Sequence, residues 1–262
     1  MVAAPSIRLY VDVVSPFAYQ AFHILRHDPV FKGVKVEYIP IFLGGLMHAC
    51  GNTAPIQIKN PAYKQAFHAI HPAQLIYHPL HLQTLHDSHT PAANAHATDK
   101  DKWIGQERLR WARAFGVPMS DTTPANFPPN TLHTMRAVCA LSLQDQDQNQ
   151  DKLVRGLETL FAAMWTDHAE IAKPDVFGPL LVKALGEETA KKALADAATV
   201  GKAALKENTD KAFADGAFGL PWMVCTNRQG QTEGFWGVDH MGQVLQFMQL
   251  ERPREGGWKS VL

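Results

Sequence analysis

Strand-like stretches lie only near the two ends of this 262-residue chain. Ile7-Arg8-Leu9-Tyr10-Val11-Asp12-Val13 and Val34-Lys35-Val36-Glu37-Tyr38-Ile39-Pro40-Ile41-Phe42 open it, rich in alternating and β-branched apolar residues. Phe17 to Leu25 between them has helical spacing, which predicts a βαβ start. The next strand pattern is Trp222-Met223-Val224-Cys225-Thr226. The turn signal Asn227-Arg228-Gln229-Gly230 leads from it to a return strand over Thr232 to Trp236. A helix over about residues 240–250 closes the chain. One sheet must therefore be assembled from both ends, and whatever lies between must leave that sheet and come back.

The middle is helical in pattern. Asp99 to Phe115, with Trp103, Leu109 and Trp111, predicts an amphipathic helix ended by Gly116-Val117-Pro118. Residues 130–143 and 152–168 predict two more. Pro174-Asp175 opens another, with proline in the first turn and an acid beside it. Residues 187–200 and 202–213 complete the block. Gly44, Gly45 and Gly51 predict a loop after the second strand. The expected organisation is a first part over 1–60, a helical domain over 61–212 and a returning part over 213–262. Within the helical part, about 66–98 reads as an extra segment. Its stretch from Pro72 to Ala97 carries His78, His81, His86, His89 and His96 with little periodicity. The spacings match no zinc signature, so a solvated insertion without metal is expected. Asp145 to Gln150 reads as a polar helix–helix turn.

Composition excludes several classes. The 25 basic residues balance the 25 acidic ones, so electrostatic binding to nucleic acid or to a membrane surface is not expected. No apolar run is long enough to span a bilayer. Met1 to Ser6 lacks the basic and apolar regions of a signal peptide. Cys50, Cys139 and Cys225 are odd in number and far apart, which argues against a disulfide framework or a zinc site and for a reducing, intracellular compartment. The closing Ser260-Val261-Leu262 echoes a peroxisomal tripeptide but has valine where a basic residue belongs. Cytoplasm, peroxisome and mitochondrion stay open.

The chemistry centres on Ser15-Pro16-Phe17, directly after the first strand. Serine reads as the N-cap and proline as the first helical residue. A hydroxyl then stands at a helix N-terminus, where free N–H groups and the helix dipole favour an anion. Taken alone, Ser15 is a helix cap worth about 1 kcal/mol. Gly219-Leu220-Pro221 precedes the third strand, where proline cannot donate to the ladder and is compatible with a cis bond. Taken alone, it is an ordinary turn.

Four segments together are more specific: Asp12-Val13-Val14-Ser15-Pro16-Phe17, Cys50-Gly51-Asn52, Gly216-Ala217-Phe218-Gly219-Leu220-Pro221 and Gly237-Val238-Asp239-His240. As a set they resemble the kappa-class glutathione transferases of the DsbA-like thioredoxin superfamily, and the related 2-hydroxychromene-2-carboxylate isomerases. Trp103 to Pro118 also looks like part of that family's helical region. The resemblance implies an α/β thioredoxin-like fold with a large all-helical domain inserted after the βαβ half. It implies glutathione as cosubstrate, no metal, and a homodimer.

The residue roles follow from the same resemblance. Ser15 hydrogen-bonds the glutathione sulfur, with Pro16 and Phe17 beside it. Asn52 hydrogen-bonds glutathione, and the Leu220 backbone pairs with its cysteinyl part. Val238-Asp239 stands where the family has a Ser-Asp pair holding the γ-glutamyl end. Asp239 can accept from that ammonium group, while Val238 lacks the hydroxyl. Ungapped counting puts Pro61 where the family has a lysine, leaving Lys59 or Lys64 for the glycyl carboxylate. Phe17, Tyr19, Phe42, Trp222 and Trp236 are candidates for an apolar cleft.

The implied chemistry is consistent with these residue types. Thioredoxin-like proteins hold a reactive cysteine where this chain holds Ser15. A serine hydroxyl is too weak an acid to take up chemistry as an anion, but its O–H can donate to a thiolate and so lower the thiol's pKa. The nucleophile is then the sulfur of glutathione, conjugated to small electrophiles as in detoxification. Two alternatives remain: glutathione-dependent isomerisation of an aromatic compound, and glutathione binding with little turnover. A disulfide oxidoreductase is disfavoured, because the chain has no Cys-x-x-Cys and no thiol at position 15.

Overall fold

The computed structural model describes residues 4–52, 99–145 and 149–261. The histidine-bearing stretch, Lys59, Pro61 and Lys64 lie outside the described residues. Residues 1–52 and 105–262 form one compact unit. Residues 53–104 form a second, of which only 99–104 are described.

Four strands form one mixed sheet in the order β2-β1-β3-β4. They are β1 (Ser6–Val11), β2 (Lys35–Pro40), β3 (Trp222–Thr226) and β4 (Thr232–Trp236). β1 runs parallel to β2, as the crossover through helix α1 (Pro16–His27) requires. β1 and β3 are antiparallel, and so are β3 and β4. The register sets Val11 beside Pro40, Tyr10 beside Trp222 and Trp222 beside Trp236. This is the α/β arrangement that the resemblance implied.

The remaining helices are α2 (Leu43–Ala49), α3 (Asp99–Phe115), α4 (Leu132–Ser142), α5 (Asp151–Trp165), α6 (Pro174–Leu185), α7 (Glu187–Asp196), α8 (Val200–Ala214) and α9 (Met241–Met248). No helix among the described residues is long and apolar enough to cross a membrane. α3 to α8 follow the helical pattern of the sequence to within a few residues. The helix expected over 152–168 stops at Trp165, and His168 already has φ 57°.

α2 is a correction, since a loop is expected there. Gly44 and Gly45 each lower helix propensity by about 1 kcal/mol relative to alanine. Here they make room for Phe42, whose ring would lie 2.9 Å from a Cβ on Gly44. Packing of that ring, and α2 lying against α8, outweigh the propensity.

α1 buries Ala18, Tyr19, Ala21, Phe22, Ile24 and Leu25. Phe22 packs on Tyr38 of β2 and Phe161 of α5, with ring centroids 4.9 and 5.4 Å away. Tyr19 stacks on Phe161 at 5.0 Å. The helical block thus shares a core with the sheet. It also reaches the turn after β1, because the Trp165 indole N–H donates to the Val13 carbonyl at 3.0 Å.

α8 approaches α4 without a side chain between them at one point. A Cβ on Gly201 would overlap the Arg136 carbonyl, which belongs to backbone and cannot swing aside. Gly201→Ala should therefore lower stability by about 1–3 kcal/mol, despite alanine's better helix propensity. Urea unfolding checks this; an unchanged or higher midpoint would show that α4 and α8 separate freely.

Candidate active site

All four motif segments leave the sheet at the same end. β1 and β2 both end there, at Val11 and Pro40. β3 begins there with Trp222, opposite Tyr10, and β4 ends there with Trp236. The turn carrying Ser15, helix α2 leading to Asn52, the Phe218–Pro221 turn and Gly237-Val238-Asp239 therefore converge. Two contacts tie the outer segments together. Asn52 Nδ2 donates to the Phe218 carbonyl at 2.9 Å, and Gly237 N donates to the Pro221 carbonyl at 3.1 Å. The short 3-10 turn Val238–His240 packs against α1.

Ser15 is the N-cap of α1 and Pro16 occupies the first turn. The Ser15 Oγ accepts from Ala18 N at 3.2 Å. Its own O–H meets no acceptor among the described residues. Pro16 has no N–H, Tyr19 N bonds to the Ser15 carbonyl, and Phe17 N is uncommitted among the described residues. So one hydroxyl proton and one helix-terminal N–H are available side by side. Pro16 is buried and Phe17 half-buried.

The Leu220–Pro221 peptide bond is cis. The Leu220 side chain is buried, while its backbone N–H and C=O take part in none of the described hydrogen bonds. That leaves a donor and an acceptor for an extended peptide backbone. Asn52 is exposed, and with Nδ2 engaged its amide oxygen meets no donor among the described residues. Val238 is buried, so only its backbone can face a ligand. The Asp239 carboxylate is 60 % exposed, with Oδ1 3.4 Å from His240 Nδ1.

The candidate apolar cleft does not hold together. Tyr19 belongs to the core, and Phe42 lines a cavity of about 470 Å³ between α2, α4 and α8. Gly45, Leu132, Arg136, Leu205 and Phe213 line it too. Ser15, Asn52, Leu220, Val238 and Asp239 do not. Trp222 is buried, and Trp236 lies over Gly219, where a Cβ would come 2.9 Å from its indole nitrogen. Phe218, not singled out from the sequence, is the aromatic side chain that joins them, with ring centroids 5.7 Å from Trp222 and 4.8 Å from Trp236. Its signal was composition: an aromatic flanked by small residues before a Leu-Pro turn.

Two of the three cysteines, Cys139 and Cys225, are buried, and Cys50 is half-buried. Burial pushes the thiols of Cys139 and Cys225 up to about 12. The Cys50 Sγ lies 3.0 Å from the Leu46 carbonyl of its own helix end. Among the described residues no cluster of His, Cys, Asp or Glu is arranged to hold a metal ion.

A residue that the sequence gives only as part of a motif stands out. Asp12 has no exposed surface. Its carboxylate accepts from Val14 N at 3.1 Å, Leu43 N at 2.9 Å and the Thr131 hydroxyl at 2.8 and 3.0 Å. Burial nevertheless pushes its carboxyl up to about 6, against these hydrogen bonds, which pull it down. The available signal was a lone acid in the run Val11-Asp12-Val13-Val14.

Because the folded pKa is raised from 3.8, Asp12 supports stability fully below about pH 4, and that contribution is lost as pH rises through about 6. A shift of this size corresponds to about 3 kcal/mol. The stability of Asp12→Asn relative to the parent should therefore improve with pH between 4 and 7, by up to about 3 kcal/mol. Urea unfolding at several pH values reads this difference; a constant gap would mean that Asp12 titrates as an ordinary surface acid.

Comparison with known proteins adds family membership. Glutathione S-transferase kappa 1 of Caenorhabditis elegans is 24 % identical over 268 residues, covering 98 % of each chain. Glutathione s-transferase kappa 2 of the same organism is 26 % identical over 250 residues, covering 92 % of this chain and 91 % of its own. Among solved structures, a 2-hydroxychromene-2-carboxylate isomerase superposes with a TM-score of 0.61 at 18 % identity. That match covers 93 % of this chain and 94 % of the isomerase, and it bears on the fold alone. The family model described as DSBA-like thioredoxin domain matches residues 6–249. The chain belongs to the DSBA-like thioredoxin domain family.

Proposed function

We propose that this protein is a glutathione transferase that conjugates glutathione to small electrophiles. The observation that carries the reading is the uncommitted Ser15 hydroxyl proton at the start of α1, beside the uncommitted Phe17 N–H. The similarity to kappa transferases along almost the whole chain supports the choice of glutathione.

In this reading the peptide lies across the end of the sheet. The Leu220 N–H and C=O pair with its cysteinyl unit. Asn52 binds it through the amide, and Asp239 accepts from the γ-glutamyl ammonium group in a charge-assisted bond. Val238 contributes its backbone N–H alone. The Ser15 O–H and the Phe17 N–H then donate to the sulfur. Both stabilise the thiolate more than the thiol, so the proton leaves the sulfur near neutral pH. The thiolate attacks the electrophilic carbon, a C–S bond forms, and the leaving group departs with the electron pair of its own bond. The isomerase alternative uses the same thiolate by addition and elimination, and it has only likeness of fold behind it.

Calorimetric titration should detect glutathione binding, and the protein should conjugate glutathione to chlorodinitrobenzene. Binding without turnover would favour a glutathione-binding protein, and neither would sink the reading. Ser15→Ala should keep glutathione bound but raise its thiol pKa by about one pH unit, equivalent to one hydrogen bond of about 1.4 kcal/mol. Ultraviolet titration of the bound thiolate measures this; an unchanged pKa would remove Ser15 from the role given to it.

A further inference from the structure

Asp12 stands three residues before Ser15 and is joined to it through the main chain, its carbonyl accepting from Ser15 N at 3.0 Å. Its carboxylate gathers donors from three places. Val14 N belongs to the turn that carries Ser15. Leu43 N is the first residue of α2, the helix that leads to Asn52. Thr131 is the N-cap residue of α4, in the helical block. Thr131 makes no cap hydrogen bond to its own helix, because its hydroxyl is given to Asp12. A threonine hydroxyl that caps its own helix typically contributes about 1 kcal/mol, so this diversion has a cost. The other side of the turn is held by Trp165, through the Val13 carbonyl.

A buried acid that titrates upward weakens the fold at neutral pH. A well-packed apolar residue in its place would not carry that cost. What the carboxylate does is accept from three donors at once on both oxygens, the Thr131 hydroxyl being shared between them, which a neutral acid or an amide cannot do. Protonation converts one oxygen into a donor. An asparagine would turn an NH2 group toward Leu43 N or Val14 N, donor against donor.

We propose that Asp12 is a positioning residue for Ser15: its ionised carboxylate fixes the Val13–Ser15 turn against α2 and α4, so that the Ser15 hydroxyl proton points at the ligand sulfur. This rests on the glutathione reading above. The titratable group facing Asp12 from α4 is Cys139, whose thiol is pushed up to about 12 by burial first, with the Asp12 charge contributing. It stays neutral over the working range. Asn208 of α8 faces Cys139 and carries no charge. Among the described residues no cation is paired with the Asp12 carboxylate.

Position and charge predict opposite signs, which makes the proposal testable. If Asp12 acted only as a nearby negative charge, removing it would favour the thiolate and lower the bound thiol's pKa. If it holds Ser15 in place, removing it raises that pKa. The experiment is a cycle of four proteins with glutathione bound: parent, Asp12→Asn, Ser15→Ala and the double variant, each titrated by thiolate absorbance. Asp12→Asn should raise the thiol pKa by about one pH unit in the parent and give no rise in the Ser15→Ala background, where only the loss of charge acts. A fall or no change in the parent, or an equal rise in both backgrounds, would overturn the proposal. Thr131→Val, which removes one donor and leaves the acid, should raise the pKa in the same direction by less, again only with Ser15 present. It decides the matter if Asp12→Asn does not fold, an unchanged value then counting against Asp12. A protein that shows no glutathione binding by calorimetry overturns the underlying reading and this proposal with it. A bound thiolate indifferent to Asp12 overturns this proposal alone.

Discussion

The pairing of β1 with β3 is the interaction on which the rest depends. It joins the two ends of the chain, with Ile7 beside Cys225 and Leu9 beside Met223, all of them buried. Closing so long a loop costs about 5 kcal/mol beyond a constant, because the entropy grows only with the logarithm of length. Each large apolar side chain buried along the pair returns about 1.5–3 kcal/mol. A few such residues therefore suffice to tolerate any helical block between the halves. Without this pairing, the turn carrying Ser15 and the Leu220–Pro221 turn would have no reason to meet. Antiparallel register places the end of one strand beside the start of the other, and the two turns follow.

How far the sequence disclosed this depends on the kind of signal. Alternation and β-branching marked the first two strands, and the turn signal Asn227-Arg228-Gln229-Gly230 marked β4 as the return from β3. Ser-Pro marked the N-cap of α1, because few residues serve both positions. α2 was hidden, because its two glycines serve a ring that packs from Phe42, a tertiary fact without local periodicity. The candidate cleft was hidden for a related reason. Tyr19 and Trp236 look alike as sequence, yet one is stacked inside on Phe161 and the other lies exposed over Gly219. Aromatic character gives burial energy but not direction. Asp12 was hidden because its donors come from α2 and α4, far off in sequence.

The site also shows where the fold accepts a cost. The helical block reaches the Ser15 turn by two polar contacts, Trp165 to Val13 and Thr131 to Asp12. An apolar packing of the same turn would be cheaper, since a buried carboxylate loses its hydration and recovers it only through its hydrogen bonds. Apolar contacts, however, are non-directional. Hydrogen bonds fix angles, and a turn that aims one hydroxyl proton, as proposed for Ser15, needs angles fixed.

In the proposed reading, serine rather than cysteine at the start of α1 moves the reactive atom out of the chain. A thiol there would gain nucleophilicity from the helix end, as the resemblance to thioredoxin-like proteins suggests. A hydroxyl at the same place stays neutral, so it can only donate. Two of the chain's three thiols do not substitute for it: Cys139 and Cys225 are buried and held protonated. Besides the half-buried Cys50 thiol, this end of the sheet offers a set of donors and acceptors: the Ser15 O–H, the Phe17 N–H, the Leu220 backbone and the Asp239 carboxylate. Such a set is complementary to a small peptide that carries its own sulfur, ammonium group and amides. In the proposed reading, a thiol peptide with its sulfur over the helix end would use these four groups at once.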